Sequence, residues 1–286
     1  MLQARATLLT GLAMFAFAGN SLLCRYALRY TAIDAGSFTV IRLVAAAGML
    51  GLLVGLRKTQ RVGTGDWPSA LALFVYAAGF SFAYVSLPAA TGALLLFGAV
   101  QVTMVGHGLW RGERLQGQQI AGVMLAFAGL LVLLLPGLAT PPLQGAALML
   151  GAGVAWGVYS LRGKGAGDAT AVTAGNFLRT LPIALVLLPW MSRHLVLDAA
   201  GVWCAIASGA LASGIGYAIW YAALPSLRAT TAATVQLSVP VLAAIGGVTL
   251  LSEPLTLRLG LASIAVLGGI ALVSMTSGKT DARVQR

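Results

Sequence analysis

Of 286 residues, 59% are hydrophobic and 9% charged, and the mean hydropathy is +0.90; a soluble domain carries about 25% charged residues, so the composition is that of an integral membrane protein in a lipid bilayer. The formal net charge of +11 comes from cations scattered over short loops instead of clustered, which argues against a nucleic-acid partner. Cys24 and Cys204 sit in apolar segments without CxxC or ligand spacing, so no metal, disulfide or cofactor is expected.

Apolar segments of about 18–25 residues can each cross the hydrocarbon layer as a helix. In chain order they lie near 6–28, 36–56, 68–87, 90–110, 117–135, 143–161, 171–190, 200–223, 229–250 and 257–275. Ala16-Phe17-Ala18 in the first resembles a signal-peptide cleavage site, but Gly19 aligns with Gly157 in the second half, which favours a retained span. The first span holds Asn20 and Ser21, the second Arg42, the third Tyr76, Ser81 and Tyr84, and the fourth Gln101, Thr103 and His107. The sixth holds Trp156 and Tyr159, the seventh Arg179, and the eighth Ser213, Tyr217, Trp220 and Tyr221. The ninth holds Thr234, Gln236, Ser238 and Pro240, whereas the fifth and tenth carry few polar groups.

The chain repeats itself. Leu87-Pro88, an apolar run and Glu113-Arg114-Leu115 reappear as Leu224-Pro225, a similar run and Glu253-Pro254-Leu255. Gly129 and Gly269 follow their glutamates at the same distance, and Tyr84 and Tyr221 precede their Leu-Pro pairs. This divides the chain into five-helix repeats at 1–136 and 143–276, with a tail at 277–286, and Pro136-Gly137 and Pro141-Pro142 in the junction. Five helices is an odd number, so the second repeat enters the membrane inverted, as alternating access around a midplane site requires. The expected fold is all-α, with ten transmembrane helices as two inverted repeats of five.

With the N-terminus inside, twelve cations fall on cytoplasmic loops and four, Arg25, Arg29, Arg193 and Arg258, lie outside, with Arg42 and Arg179 inside spans. By the positive-inside rule both termini are then cytoplasmic.

The second half carries Ala155-Trp156-Gly157, Arg179, Val239-Pro240-Val241 and Glu253-Pro254-Leu255-Thr256. With the five-plus-five arrangement, these resemble the EamA-type branch of the drug/metabolite transporter (DMT) superfamily. The first half matches less well, with Val100 in place of the proline and Ala18 in place of the tryptophan. The resemblance implies a bacterial inner-membrane exporter of small metabolites, most similar to amino-acid exporters of the YddG kind, which handle neutral and aromatic amino acids. It implies a central cavity bordered by helices 1, 3, 4, 6, 8 and 9, with helices 5 and 10 peripheral. A multidrug or lipophilic-cation exporter of the same superfamily is the alternative. A monomer or weak homodimer is expected.

The candidate cavity residues are polar or aromatic side chains deep in spans: Asn20, Tyr84, Gln101, Trp156, Tyr159, Tyr217, Trp220, Tyr221 and Gln236. Tyr217, Trp220 and Tyr221 share one face at i, i+3 and i+4, as do Phe80 and Tyr84. These faces either close on a substrate or serve helix packing and the interfacial belt. Gln101 and Gln236 either line the cavity or bond a neighbouring helix, because a lipid-facing amide is costly. Arg42 and Arg179 are expected to hold the fold or a gate, with substrate contact as the other reading. Pro240 is expected to kink the ninth helix. All seven acids lie in loops or at helix ends, so Glu113 and Glu253 are expected to cap or clamp the turns after helices 4 and 9. His107 is the candidate proton site by its ordinary pKa, with a packed histidine as the alternative. The chain lacks HExxH, paired membrane aspartates and a Walker loop, which argues against an intramembrane enzyme and a self-powered pump.

Overall fold

The protein is seen here as a computed structural model, which describes residues 2–57, 64–112, 115–135, 141–163, 167–191, 195–227 and 235–284. Glu113, Thr234 and the Pro136-Gly137 junction lie outside them. Among the described residues all regular structure is helical. The first five helices are α1 (Leu2–Tyr30), α2 (Ala35–Leu56), α3 (Trp67–Tyr84), α4 (Ala89–Trp110) and α5 (Gly117–Leu134). The second five are α6 (Leu143–Gly163), α7 (Ala169–Met191), α8 (Ala199–Ser226), α9 (Ser238–Leu251) and α10 (Leu257–Val284). Seven of them are long and apolar enough to cross a membrane. α6 has the length and carries five glycines, and α9 and α10 supply shorter apolar stretches, Ser238–Leu251 and Leu257–Val273.

Carboxylates are scarce, and four of the seven start helices. Asp34 accepts from the Ser37 N–H at the head of α2, and Asp66 from Ser69 at α3. Asp168 accepts from Thr170 at α7, and Asp198 from Gly201 at α8. A cap of this kind is worth about 1 kcal/mol, because the first N–H groups have no partner within the helix.

The packing obeys an internal twofold. α5 lies mainly against α10, and α2 also packs on α7, each pair made of equivalent helices from the two halves, as is the α4–α9 contact. α3 packs on α6 as α1 packs on α8. Gly129 abuts Ala265 and Val266, while its equivalent Gly269 abuts Ala126. Small residues let these backbones meet without a soluble-type core. α5 and α10 are the peripheral pair.

The two halves run in opposite directions. Gly145, near the start of α6, meets Ser86 and Leu87 just past the end of α3. The Tyr30 hydroxyl at the end of α1 donates to the Leu251 carbonyl at the end of α9, 2.9 Å away. The ends of α1, α3 and α9 and the starts of α4 and α6 therefore share one side, here the α1–α2 end; the other is the α2–α3 end. Exposed Trp190 and Trp203 mark the first and exposed Trp67 and Trp110 the second, as amphipathic rings do at the two membrane interfaces.

Two helices are interrupted. Val235 and Gln236 are helical, and the ninth helix is interrupted at Leu237, three residues before Pro240, whose missing N–H leaves the Gln236 carbonyl without its helical partner. α8 is interrupted by a nine-residue π-helical stretch, Ala207–Ile215. Its Gly209 lies against the Arg42 backbone carbonyl and its Gly214 against Met49, so the widened turns follow a close approach of α8 to α2.

Candidate functional site

A cavity of about 430 Å³ runs from the middle of the bundle to the α2–α3 end. That is the size of a small-molecule site. α1 contributes Asn20 and Ser21 to it, α4 contributes Gln101 and α6 contributes Trp156 and Tyr159. α8 presents Tyr217, Trp220 and Tyr221, and Gln236 closes the lining beyond it. Eight of the nine residues proposed from sequence are thus brought together.

Trp156 is the hub of the aromatic wall. Its ring stacks on Tyr217 at 5.3 Å and 21°, and lies 4.8 Å from Tyr76 and 5.4 Å from Tyr159. Phe17 meets Tyr217 at 5.6 Å and Trp220 at 6.2 Å. Each such pair adds about 0.5–1.5 kcal/mol beyond burial, so the wall is stiff. The polar groups are fixed by neighbours: the Ser208 hydroxyl donates to Asn20 Oδ1 at 2.6 Å. The Tyr159 hydroxyl donates to Thr173 Oγ1 at 3.2 Å, and Asn176 Nδ2 donates to it at 3.5 Å. Among the described residues no carboxylate lines the cavity, and no three His, Cys, Asp or Glu side chains gather to hold a metal.

Tyr84 is the exception among the nine. It is fully buried and does not line the cavity; its hydroxyl donates to the Ala89 carbonyl at 3.3 Å, and its ring covers Gly92. Phe80, one turn earlier, takes the wall position and meets Tyr84 edge-on at 4.7 Å. Phe17 was not among the candidates; the signal was its place three residues before Asn20, on the same helical face.

The α1–α2 end is sealed by an ion pair. Arg25 Nε donates to Glu253 Oε1 at 2.9 Å, with the residues 8% and 9% exposed. Arg25 Nη1 donates to the carbonyls of Tyr84 at 3.0 Å and Val85 at 3.2 Å. Glu253 Oε2 accepts from the Ala89 N–H at 2.8 Å. One carboxylate and one guanidinium thereby tie α1, the end of α3, the start of α4 and the turn after α9. This corrects two expectations. Arg25 lies buried within α1 and is not an exterior loop cation. Glu253 clamps across the two halves, projecting from a turn in which Ser252 adopts φ 52°, and is not confined to the α9–α10 turn.

The α2–α3 end has a looser tie. Arg162 Nη2 meets Asp66 Oδ1 at 2.9 Å, with side chains 43% and 48% exposed. Arg179 Nη1 donates to the Thr64 and Gly175 carbonyls at 3.2 and 2.9 Å, holding the segment before α3. Arg42 is buried over aromatic rings. His107 is half-buried in the last turn of α4, 6.0 Å from Trp110 and outside the cavity lining.

Residues 143–275 match the EamA-like transporter family. The chain is 62% identical over 270 residues to an uncharacterised protein of Pseudomonas aeruginosa, covering 94% of each. It is 26% identical over 242 residues to an uncharacterised transporter of Archaeoglobus fulgidus, 82% of this chain and 86% of that one. It is also similar to the threonine/homoserine exporter RhtA of Salmonella typhimurium, at 33% identity over 166 residues, 55% of this chain and 53% of the exporter. A crystal structure at 21% identity superposes with a TM-score of 0.66, covering 95% of this chain and 98% of that one; at that identity it speaks for the fold alone.

Proposed function

We propose, because the chain belongs to the EamA-like transporter family, that it is a secondary carrier which exports small metabolites, neutral and aromatic amino acids first among them, by alternating access. One observation carries this reading: an aromatic cavity open toward the α2–α3 end and closed at the other by the buried Arg25–Glu253 pair. A carrier needs one site and two gates that are never open together. The sealed clamp serves as the closed gate, and the exposed Arg162–Asp66 tie lies beside the open one.

The cavity offers what an amino acid needs, with ring faces for the side chain and amide and hydroxyl groups for the polar end. Asn20, Gln101, Trp156, Tyr159, Tyr217, Trp220, Tyr221 and Gln236 form the substrate wall in this reading. In this reading the α2–α3 end is cytoplasmic, as the positive-inside count supports, and the cavity faces the side from which an exporter loads. The similarity to a threonine/homoserine exporter supports amino acids. The lipophilic-cation alternative draws on the ring wall, which can hold a cation without a carboxylate.

Counterflow in liposomes tests the reading. Liposomes containing the purified protein, preloaded with unlabelled amino acids and without an ion gradient, are expected to accumulate labelled threonine, methionine or phenylalanine. Uptake of a lipophilic cation with none of the three overturns the amino-acid reading.

A further inference from the structure

Arg42, two turns into α2, is 3% exposed. Its guanidinium carbon lies 5.0 Å from the Phe80 ring centroid and 6.0 Å from that of Tyr76. Nη1 donates to Ser81 Oγ at 3.5 Å. A guanidinium stays charged and has five N–H donors in a planar fork. Among the described residues no carboxylate pairs with it: the ion pairs are Arg25–Glu253 and Arg162–Asp66, while Asp34, Asp168 and Asp198 cap helices.

A cation kept in the membrane interior without a counter-ion is costly, and ring faces offset only part of that cost. Arg179, at the matching place in the second half, donates to the Thr64 carbonyl before α3 and to the Gly175 carbonyl of its own helix. Arg42 lies directly behind the cavity wall instead: Phe80 and Tyr76, the rings beneath its guanidinium, both line the cavity, and Arg42 itself does not. Ring faces repel anions, so contact between an anion and the guanidinium requires that Phe80 turn to another rotamer.

We propose that Arg42 is the receptor for the substrate's carboxylate, which pairs with the guanidinium fork at the sealed end of the cavity. This rests on the carrier reading above and sharpens it. The substrates are then zwitterionic amino acids, and molecules with an amine but no carboxylate are discriminated against.

Binding to the purified protein in detergent, read from the thermal unfolding midpoint against ligand concentration, tests this with L-phenylalanine and L-phenylalaninamide as probes. A charge-assisted bond predicts on the order of tenfold tighter binding of the acid by the wild type. Arg42→Met is expected to bring the two probes within about threefold of each other, whereas Arg42→Lys, which keeps the charge, retains the preference. Arg42→Gln is the second neutral variant where Arg42→Met is not recovered folded. The acid-to-amide ratio is the readout, so a general loss of packing, which weakens both probes alike, is distinguished from loss of the receptor. A wild type that binds acid and amide alike, or a neutral variant that keeps the full preference, overturns the proposal and leaves the carrier reading standing. A wild type that binds neither probe and shows no amino-acid counterflow overturns both.

Discussion

Tyr84 and Tyr221 occupy the same place in the two repeats, yet their surroundings differ. Tyr84, at the sealed end, is fully buried against Gly92 and the Ala89 carbonyl. Tyr221, at the other end, lines the cavity. The ion pairs divide the same way: Arg25–Glu253 is almost wholly withdrawn from solvent, whereas Arg162–Asp66 is nearly half exposed. Two halves with one ancestral sequence pattern thus adopt two local structures. With one end open and the other sealed, the symmetry of the sequence is broken in this conformation.

The largest expected effect comes from the sealed end. Removing one partner of a buried pair leaves an uncompensated charge and costs about 3–5 kcal/mol, whereas replacing both with apolar residues is often neutral or stabilising. Arg25→Met and Glu253→Met are each expected to lower the thermal midpoint sharply, and the double variant to recover most of the loss. The double variant also loses the tethers to the Tyr84 and Val85 carbonyls and the Ala89 N–H. A cysteine placed at Ser21, with Cys24 and Cys204 replaced by alanine, should then react with an impermeant maleimide from the α1–α2 side. Protection equal to that of the wild type would mean that the clamp is not what closes this end.

The same asymmetry governs what the sequence made legible. The spans, the five-plus-five division and eight cavity residues were readable because polar and aromatic side chains in apolar helices must find a protein-lined place. Tyr84 was not, because its equivalence to Tyr221 holds for the sequence and fails for the conformation. Arg25 reads as a loop cation by its nearness to a helix end, and its partner Glu253 is 228 positions away. Phe17 is one apolar residue among many, and its only signal is its place three residues before Asn20 on the same helical face. The π-helical stretch of α8 arises from contact with α2, which no local pattern encodes.

A smaller effect is expected away from both ends. Gly122 and Gly269 bring α5 and α10 into backbone contact, and a Cβ at Gly122 would lie 2.6 Å from the Gly269 carbonyl oxygen. Because this interface pairs equivalent helices, its demand for small residues should not depend on which end is open. Gly122→Leu is expected to cost about 1–3 kcal/mol by overpacking, while Gly268→Ala, where a Cβ meets open space, costs little. Thermal unfolding checks both. A Gly122→Leu protein as stable as the wild type would show that the pair is held by lipid and loops more than by the glycines.

The smallest effect is at the α2–α3 end, and its pH dependence has a definite sign. Burial works against the Asp66 carboxylate, but the Ser69 N–H at 2.9 Å, the Ser69 hydroxyl at 2.8 Å and Arg162 outweigh it and hold the acid below the usual aspartate range. A carboxyl depressed in the folded state contributes stability above its unfolded-state value, and that contribution is lost as pH falls through the folded one. The exposure of both side chains keeps the pair's own worth to about 1 kcal/mol or less. Asp66→Asn retains an N-cap for α3 and removes only the charge. It should therefore cost a few tenths of a kcal/mol up to about 1 kcal/mol near neutrality, and the difference from wild type should shrink below about pH 4. Thermal midpoints across that range decide it. A loss as large as that of Glu253→Met would mean that the α2–α3 end is clamped as firmly as the α1–α2 end, and the contrast between the two ends would fall.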